Sequence, residues 1–202
     1  MEREEIRMKT IVLPGYSIKN KYWAYEVESH MSKKYSVIVH EWEHWRESSS
    51  IPDETLVKVG LSNNQKLDHK LSLQMAKKLD VNYEVGVIRT KLGKFSKDEN
   101  INIIAKSIGT KVAMTLVPVL KERLGKVILC GIPIDPLGYR KGLNIIGSGK
   151  LLVIQNSKDP FMPYSAIKTF MMLMDKNIKV VRKLSNTHDY PYYKDFAEFL
   201  GV

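Results

Sequence analysis

Six short apolar runs rich in β-branched residues set the tightest limit on how this chain can fold. They are KTIVLP (9–14), YSVIVH (35–40), NINIIAK (100–106), KVILCGI (126–132), KLLVIQN (150–156) and IKVVRKL (178–184). Their alternation is weak. A strand with one wet face alternates apolar and polar residues, whereas a strand covered on both faces is apolar nearly throughout. The runs therefore predict strands of a parallel sheet with helices on both sides.

The stretches between the runs carry helical spacing. Trp23, Val27 and Met31 recur at i, i+4, i+8 in 22–34, and Val112, Leu116 and Leu120 share a face in 108–124. Ile167, Phe170 and Met174 do so in 163–176, as do Tyr193, Phe196, Ala197 and Leu200 in 190–200. Met171, Met172 and Met174 read as core filler. Segment 66–96 stays open. Leu67, Leu71, Met75 and Leu79 are helical in spacing, while Val81, Tyr83, Val85 and Val87 alternate and Val81, Val85, Ile88 and Leu92 fit a helix. Strands alternating with helices predict an α/β fold, a three-layer α/β/α sandwich with a mostly parallel sheet of about six strands. The 202 residues fit one domain, 1–202.

Composition narrows the classes. Cys130 is the single cysteine, so no disulfide forms within the chain, which suits a reducing, cytoplasmic setting. Inside the apolar run it reads as a small buried residue. The opening MEREEIRMKT is charged and has no apolar core of a signal peptide. No apolar run approaches the ~18 residues of a membrane span. The net charge of +10 and pI of about 9.5 raise the question of nucleic acid. The lysines are scattered, with no dense basic block and no interleaved aromatics, so a solvated basic surface is expected and no nucleic-acid partner.

One motif points to metal. HEWEH, residues 40–44, has the H-E-x-x-H pattern of zinc proteases. That chemistry needs both histidines on one helix face and a third ligand. Here the motif directly follows YSVIV, and a helix from His40 has barely two turns before SSSIP. An extended segment places His40, Trp42 and His44 on one side and Glu41 and Glu43 on the other. His30 and His69 are candidate third ligands that nothing fixes nearby. The expectation is no metal and no cofactor, with Trp42 and Trp45 packed at the strand end.

The ends of the strands hold other chemistry, where parallel sheets place their ligands. The third run leads into AKSIGTKVAM, with Ala105, Ser107 and Gly109 at the spacing of a nucleophile elbow. Small residues on either side let a strained strand-to-helix turn hold the serine hydroxyl outward. On the pentapeptide alone, a plain helix cap by Ser107 is an equal reading. Asp159 follows the fifth run, in NSKDPFMP, and His188 follows the sixth, in SNTHDYPYY. Serine, aspartate and histidine thus stand in order, each just beyond a successive strand.

With these motifs the sequence resembles the α/β-hydrolase superfamily over essentially the whole chain. It looks most like small lid-poor members, the dienelactone-hydrolase-like proteins and the retinoblastoma-binding type of serine hydrolase. A fold lacking the opening antiparallel strands of larger members is expected, and alanine replaces the first elbow glycine. The resemblance implies Ser107 as nucleophile, His188 as general base and acid, and Asp159 as the residue orienting His188. Asp135, in GIPIDP, is the alternative acid. The oxyanion donors implied are the backbone N–H groups of Ile108 and of Tyr16, in the loop PGYS. Gly15 is also expected to make a turn with positive φ. Only about 17 residues, 133–149, separate the fourth and fifth runs, room for one short helix rather than a lid. Tyr16, Tyr139, Phe161 and Met162 are candidates for the pocket wall. The implied activity is a serine esterase on small acyl esters, with no membrane partner. A silent scaffold of the same fold is the alternative, and the oligomeric state is open.

Overall fold

The computed structural model describes residues 8–43, 45, 79–93, 95–96, 98–133 and 136–201. Among these residues six strands form one sheet: β1 (Lys9–Leu13), β2 (Ser36–Val39), β3 (Ile101–Lys106), β4 (Leu124–Cys130), β5 (Leu151–Asn156) and β6 (Lys179–Lys183). They coincide with the six apolar runs to within two residues at either end. Every pairing is parallel, and the order is β2-β1-β3-β4-β5-β6.

The helices follow as α1 (Lys19–Met31), α2 (Val81–Leu92), α3 (Ile108–Leu120), α4 (Arg140–Ile146), α5 (Tyr164–Met174) and α6 (Tyr193–Leu200). Successive strand residues point to opposite faces, and the core divides accordingly. Ile11, Ile103, Val127 and Val153 pack with α2, α3, α4 and α5. Val12, Ile104, Ile128 and Ile154 pack with α1 and α6. Both faces of the central strands are sealed, which is why β3 and β5 are buried along their whole length.

Right-handed crossovers dictate which helix lies where. The step from β1 to β2 runs one way along the sheet and puts α1 on one face. The steps from β3 to β6 run the other way and put α3, α4 and α5 on the opposite face. The direction reverses between β1 and β3. At that point the two connections leave the C-terminal strand ends on opposite sides and open a crevice, the usual ligand position in such sheets.

Within segment 66–96 the residues from 81 to 92 are helical. Val85, Ile88 and Leu92 of α2 are buried, and Asp80 caps its start by accepting from the N–H groups of Asn82 and Tyr83. Residues 66–78 lie outside the described residues. Met171 is buried and Met174 half-buried, as core filler should be, but Met172 is 56% exposed. Neighbours on a helix point about 100° apart, so one apolar stripe cannot take all three. No described helix is long and apolar enough to cross a membrane.

One charge lies inside the α1/α6 face. Lys106, the last residue of β3, is 4% exposed, and its Nζ stands 5.5 Å from the centre of the Trp23 ring. Burial pushes its pKa down to about 8, against weaker support from Asp189, Cys130 and Asp159. The unfolded chain holds this proton more tightly, up to about pH 10.4. Folding is therefore penalised below about pH 8, and the penalty fades as the pH rises toward 10. Lys106→Met is expected to stabilise the protein by on the order of 2 kcal/mol at pH 7. Urea unfolding of both proteins at pH 7 and 9.5 checks this: the gap between them narrows at the higher pH.

Candidate active site

Five strand ends supply the site, those of β1, β3, β4, β5 and β6. β3 passes into α3 through Ser107, which holds φ 54° and ψ −128°. A side chain at positive φ costs of order 1–3 kcal/mol and persists only where the surroundings enforce it. Ser107 makes no side-chain cap to α3, so the plain-cap reading does not hold. The turn is fixed through the backbone. Ser107 N–H donates to Cys130 O at 2.9 Å, and Thr110 N–H donates to Ser107 O at 2.9 Å. Ala105 is fully buried between Leu13 and Leu129 in the sheet register, and its methyl is accommodated where the consensus has glycine.

Gly109 makes the second half of the turn. A Cβ there would lie 2.1 Å from Leu13 O and 2.6 Å from Pro14 O. The first turn of α3 thus rests directly on the end of β1, which brings the loop Pro14-Gly15-Tyr16 beside Ser107. Gly15 does not have the positive φ expected of it. Its reason is space, since a Cβ would meet Asn20 Nδ2 at 2.7 Å.

His188 and Asp159 meet as the sequence order predicts. His188 Nδ1 lies 2.7 Å from Asp159 Oδ2. The His188 ring sits against the end of β4, where a Cβ on Gly131 would come 3.0 Å from its Cε1. Ser107 and His188 therefore border the same Cys130–Gly131 backbone, one by its N–H and one by its ring. His188 Nε2 is buried without a hydrogen-bond partner, so no bond to Ser107 is formed in this state. Catalytic bonds are often long before substrate arrives. Asp135 lies outside the described residues.

Asp159 is 3% exposed. Burial pushes its carboxyl up, but the combined pull of His188, the Tyr190 hydroxyl and the Phe161 N–H outweighs it and holds the pKa below its ordinary value. Oδ1 accepts from the N–H groups of Phe161 (2.8 Å) and Met162 (3.3 Å), and Oδ2 accepts from Tyr190 Oη at 2.5 Å as well as facing His188. Burial and the charge of Asp159 push the Tyr190 hydroxyl far up, so it remains a donor.

The loop carrying His188 is held from the last residues of β5. Asn156 Nδ2 donates to the carbonyls of Thr187 and Asp189, both at 2.9 Å, and its Oδ1 accepts from Tyr192 Oη. Gln155 Oε1 accepts from Ile132 N–H, and its Nε2 donates to Met162 O. The sequence reading missed Gln155, Asn156 and Tyr190. The signal was there in part: two amides close an otherwise apolar strand, and both are fully buried.

The pocket candidates divide. Phe161 lies with its ring centre 4.4 Å from that of His188, and Met162 is half-buried next to it. Tyr139 is 1% exposed, and its hydroxyl pairs with Thr110 Oγ1, so it braces the elbow from behind. Between β4 and β5 the described chain forms a short 3-10 turn, 136–139, and then α4.

His40 is fully buried, with Nε2 2.9 Å from Glu84 Oε2 at an angle that makes no hydrogen bond. Its ring meets that of Trp42 edge-on at 4.7 Å. His44 and His69 lie outside the described residues, and His30 stacks on Tyr193. Among the described residues no three His, Cys, Asp or Glu side chains group to hold a metal.

Two predictions follow from this packing. Gly109→Ala should destabilise by about 1–3 kcal/mol because β1 cannot give way. Gly86→Ala, which meets nothing within 4 Å on α2, should gain up to about 1 kcal/mol from helix propensity; thermal unfolding of the pair shows the opposite signs. Tyr190→Phe leaves Asp159 one donor short and should cost about 1–3 kcal/mol at pH 7. A carboxylate held low stabilises the fold above its unfolded pKa and loses that effect as the pH falls. The deficit of Tyr190→Phe, read by urea unfolding, should therefore shrink below about pH 4.

No family model matches the sequence, and no curated protein is similar to it in sequence at a significant level. Solved structures do match its fold. An alpha-beta serine hydrolase homologue from Coxiella burnetii is 12% identical, with 98% of this chain and 86% of that chain covered and a TM-score of 0.63. A serine hydrolase without lid from Xanthomonas campestris is 12% identical, over 98% and 81%, with a TM-score of 0.61. A carboxylesterase from Bacillus cereus is 15% identical, over 99% and 90%, with a TM-score of 0.53. These likenesses show the fold that the sequence resemblance implied.

Proposed function

From the α/β-hydrolase fold as premise, we propose that this chain is a serine hydrolase, a carboxylesterase acting on small acyl esters through an acyl-enzyme on Ser107. One observation carries the reading. An uncapped serine at φ 54° borders the same β4 backbone as a histidine held 2.7 Å from a buried aspartate.

In the proposed reaction Ser107 Oγ attacks the ester carbonyl carbon while His188 Nε2 takes its proton. The carbonyl oxygen becomes an oxyanion and accepts from the N–H groups of Ile108 and Tyr16. Ile108 opens the first turn of α3, where backbone N–H groups have no carbonyl a turn earlier to bind. Collapse of the intermediate breaks the bond to the alcohol, which leaves with the proton from His188. Water then attacks the acyl-enzyme by the same route, releases the acid and restores Ser107. Asp159 stays ionised, keeps the proton of His188 on Nδ1, and offsets the imidazolium charge. The short connection between β4 and β5 favours small, open-bound esters over long acyl chains. No cofactor takes part in this scheme, and the partner is a small molecule.

Turnover of a short-chain aryl ester series, with phosphonate labelling read by mass spectrometry, tests it. Label on Ser107 is expected, with Ser107→Ala taking no label and losing turnover by up to about 10⁶-fold. A wild type that neither labels nor turns over would favour a silent scaffold, a reading in keeping with the unpartnered His188 Nε2.

A further inference from the structure

We propose that Trp42 and Trp45 are positioning residues for the oxyanion donor at Tyr16, an inference that rests on the hydrolase reading above. Trp42 Nε1 donates to Gly15 O at 2.9 Å, and Trp45 Nε1 donates to Tyr16 O at 2.9 Å. Both rings are buried, at 0% and 1% exposure. An indole has one donor and no acceptor, so burial alone asks only for some carbonyl. Here the two indoles take consecutive carbonyls of the one loop that rests against the elbow.

The geometry of the peptide gives this pairing its meaning. Gly15 C=O and Tyr16 N–H belong to one planar trans unit and point in opposite directions. A donor that fixes the carbonyl therefore fixes the aim of the N–H. Trp45 pins the next unit through Tyr16 O, so neither peptide flanking Tyr16 can flip without breaking one of these two hydrogen bonds. Hydrogen bonding to a carbonyl also polarises its amide, which strengthens the N–H as a donor.

Trp42 is itself braced. The Tyr16 ring lies 5.7 Å from it at 50°, and His40 meets it edge-on beside Glu84 of α2. His40 N–H donates to Val12 O, which ties the segment to the end of β1. His40, Trp42 and Trp45 thus form a buttress running from β2 and α2 to the loop.

Trp42→Phe and Trp45→Phe remove the donor and keep an aromatic ring. Trp42 replaced by benzothienylalanine, in which sulfur stands where N–H was, repeats the test without a change of shape. Expected for each folded variant is a kcat about 10-fold or more lower on an aryl ester with KM within about twofold, since oxyanion stabilisation acts in the transition state. Affinity for a phenylboronic acid, whose tetrahedral adduct places an oxygen at the oxyanion position, should fall by the same factor. Wild-type kcat in a folded variant overturns the inference, as does a rise in KM with kcat unchanged. A wild type labelled by phosphonate alongside variants labelled at the same rate overturns the inference alone. A wild type that takes no label overturns the hydrolase reading and the inference together.

Discussion

The first turn of α3 lies on the end of β1 with no room for a side chain between them. Gly109 sits where a Cβ would be 2.1 Å from Leu13 O, and this contact sets the distance between the β1 loop and the elbow. It also fixes the angle at which α3 leaves the sheet, and so the strained backbone of Ser107. Strain of this kind holds only if both ends are anchored. The sheet register anchors one end through Ala105, between Leu13 and Leu129. The buried face of α3, from Ile108 to Leu120, anchors the other.

A second constraint is the burial of Asp159. A carboxylate taken out of water is costly unless its oxygens are satisfied. Four donors meet this one, two from its own loop and two from the loop after β6. The same bonds place the His188 ring. Asn156 and Gln155, at the end of β5, bind both loops to the sheet. The position of His188 is therefore set by a polar network inside the fold rather than by its own exposed loop.

The β2 side of the crevice is built differently. There the packing is aromatic, and its two indole N–H groups turn toward the loop at Gly15 and Tyr16. On this segment a buried histidine, His40, and a buried tryptophan, Trp42, stand two residues apart where the chain leaves β2, and Glu43 and Trp45 are helical. A metal pair at i, i+4 needs both residues on one helix face, and His40 precedes the helical residues, so its buried ring serves packing.

The sequence by itself determined the six strands, the burial of the central ones on both faces and most of the helices between them. These are local properties, carried by apolar runs and by i, i+4 recurrence that survive in any one-dimensional reading. It also placed Ser107, Asp159 and His188 each at a strand end, since a parallel sheet collects such ends on one edge. Tertiary structure decided what depends on neighbours far away in the chain. The choice between cap and elbow at Ser107 needed β4 and β1 beside it. The reason for glycine at 15 was Asn20, not φ. α2 emerged from an ambiguous segment because Val85, Ile88 and Leu92 had α3 and the sheet to pack against. Tyr190, Asn156, Trp42 and Trp45 gained their roles from hydrogen bonds spanning 27 to 33 residues. Such bonds leave no periodic trace in a sequence, because they rest on the three-dimensional proximity of single donors and acceptors.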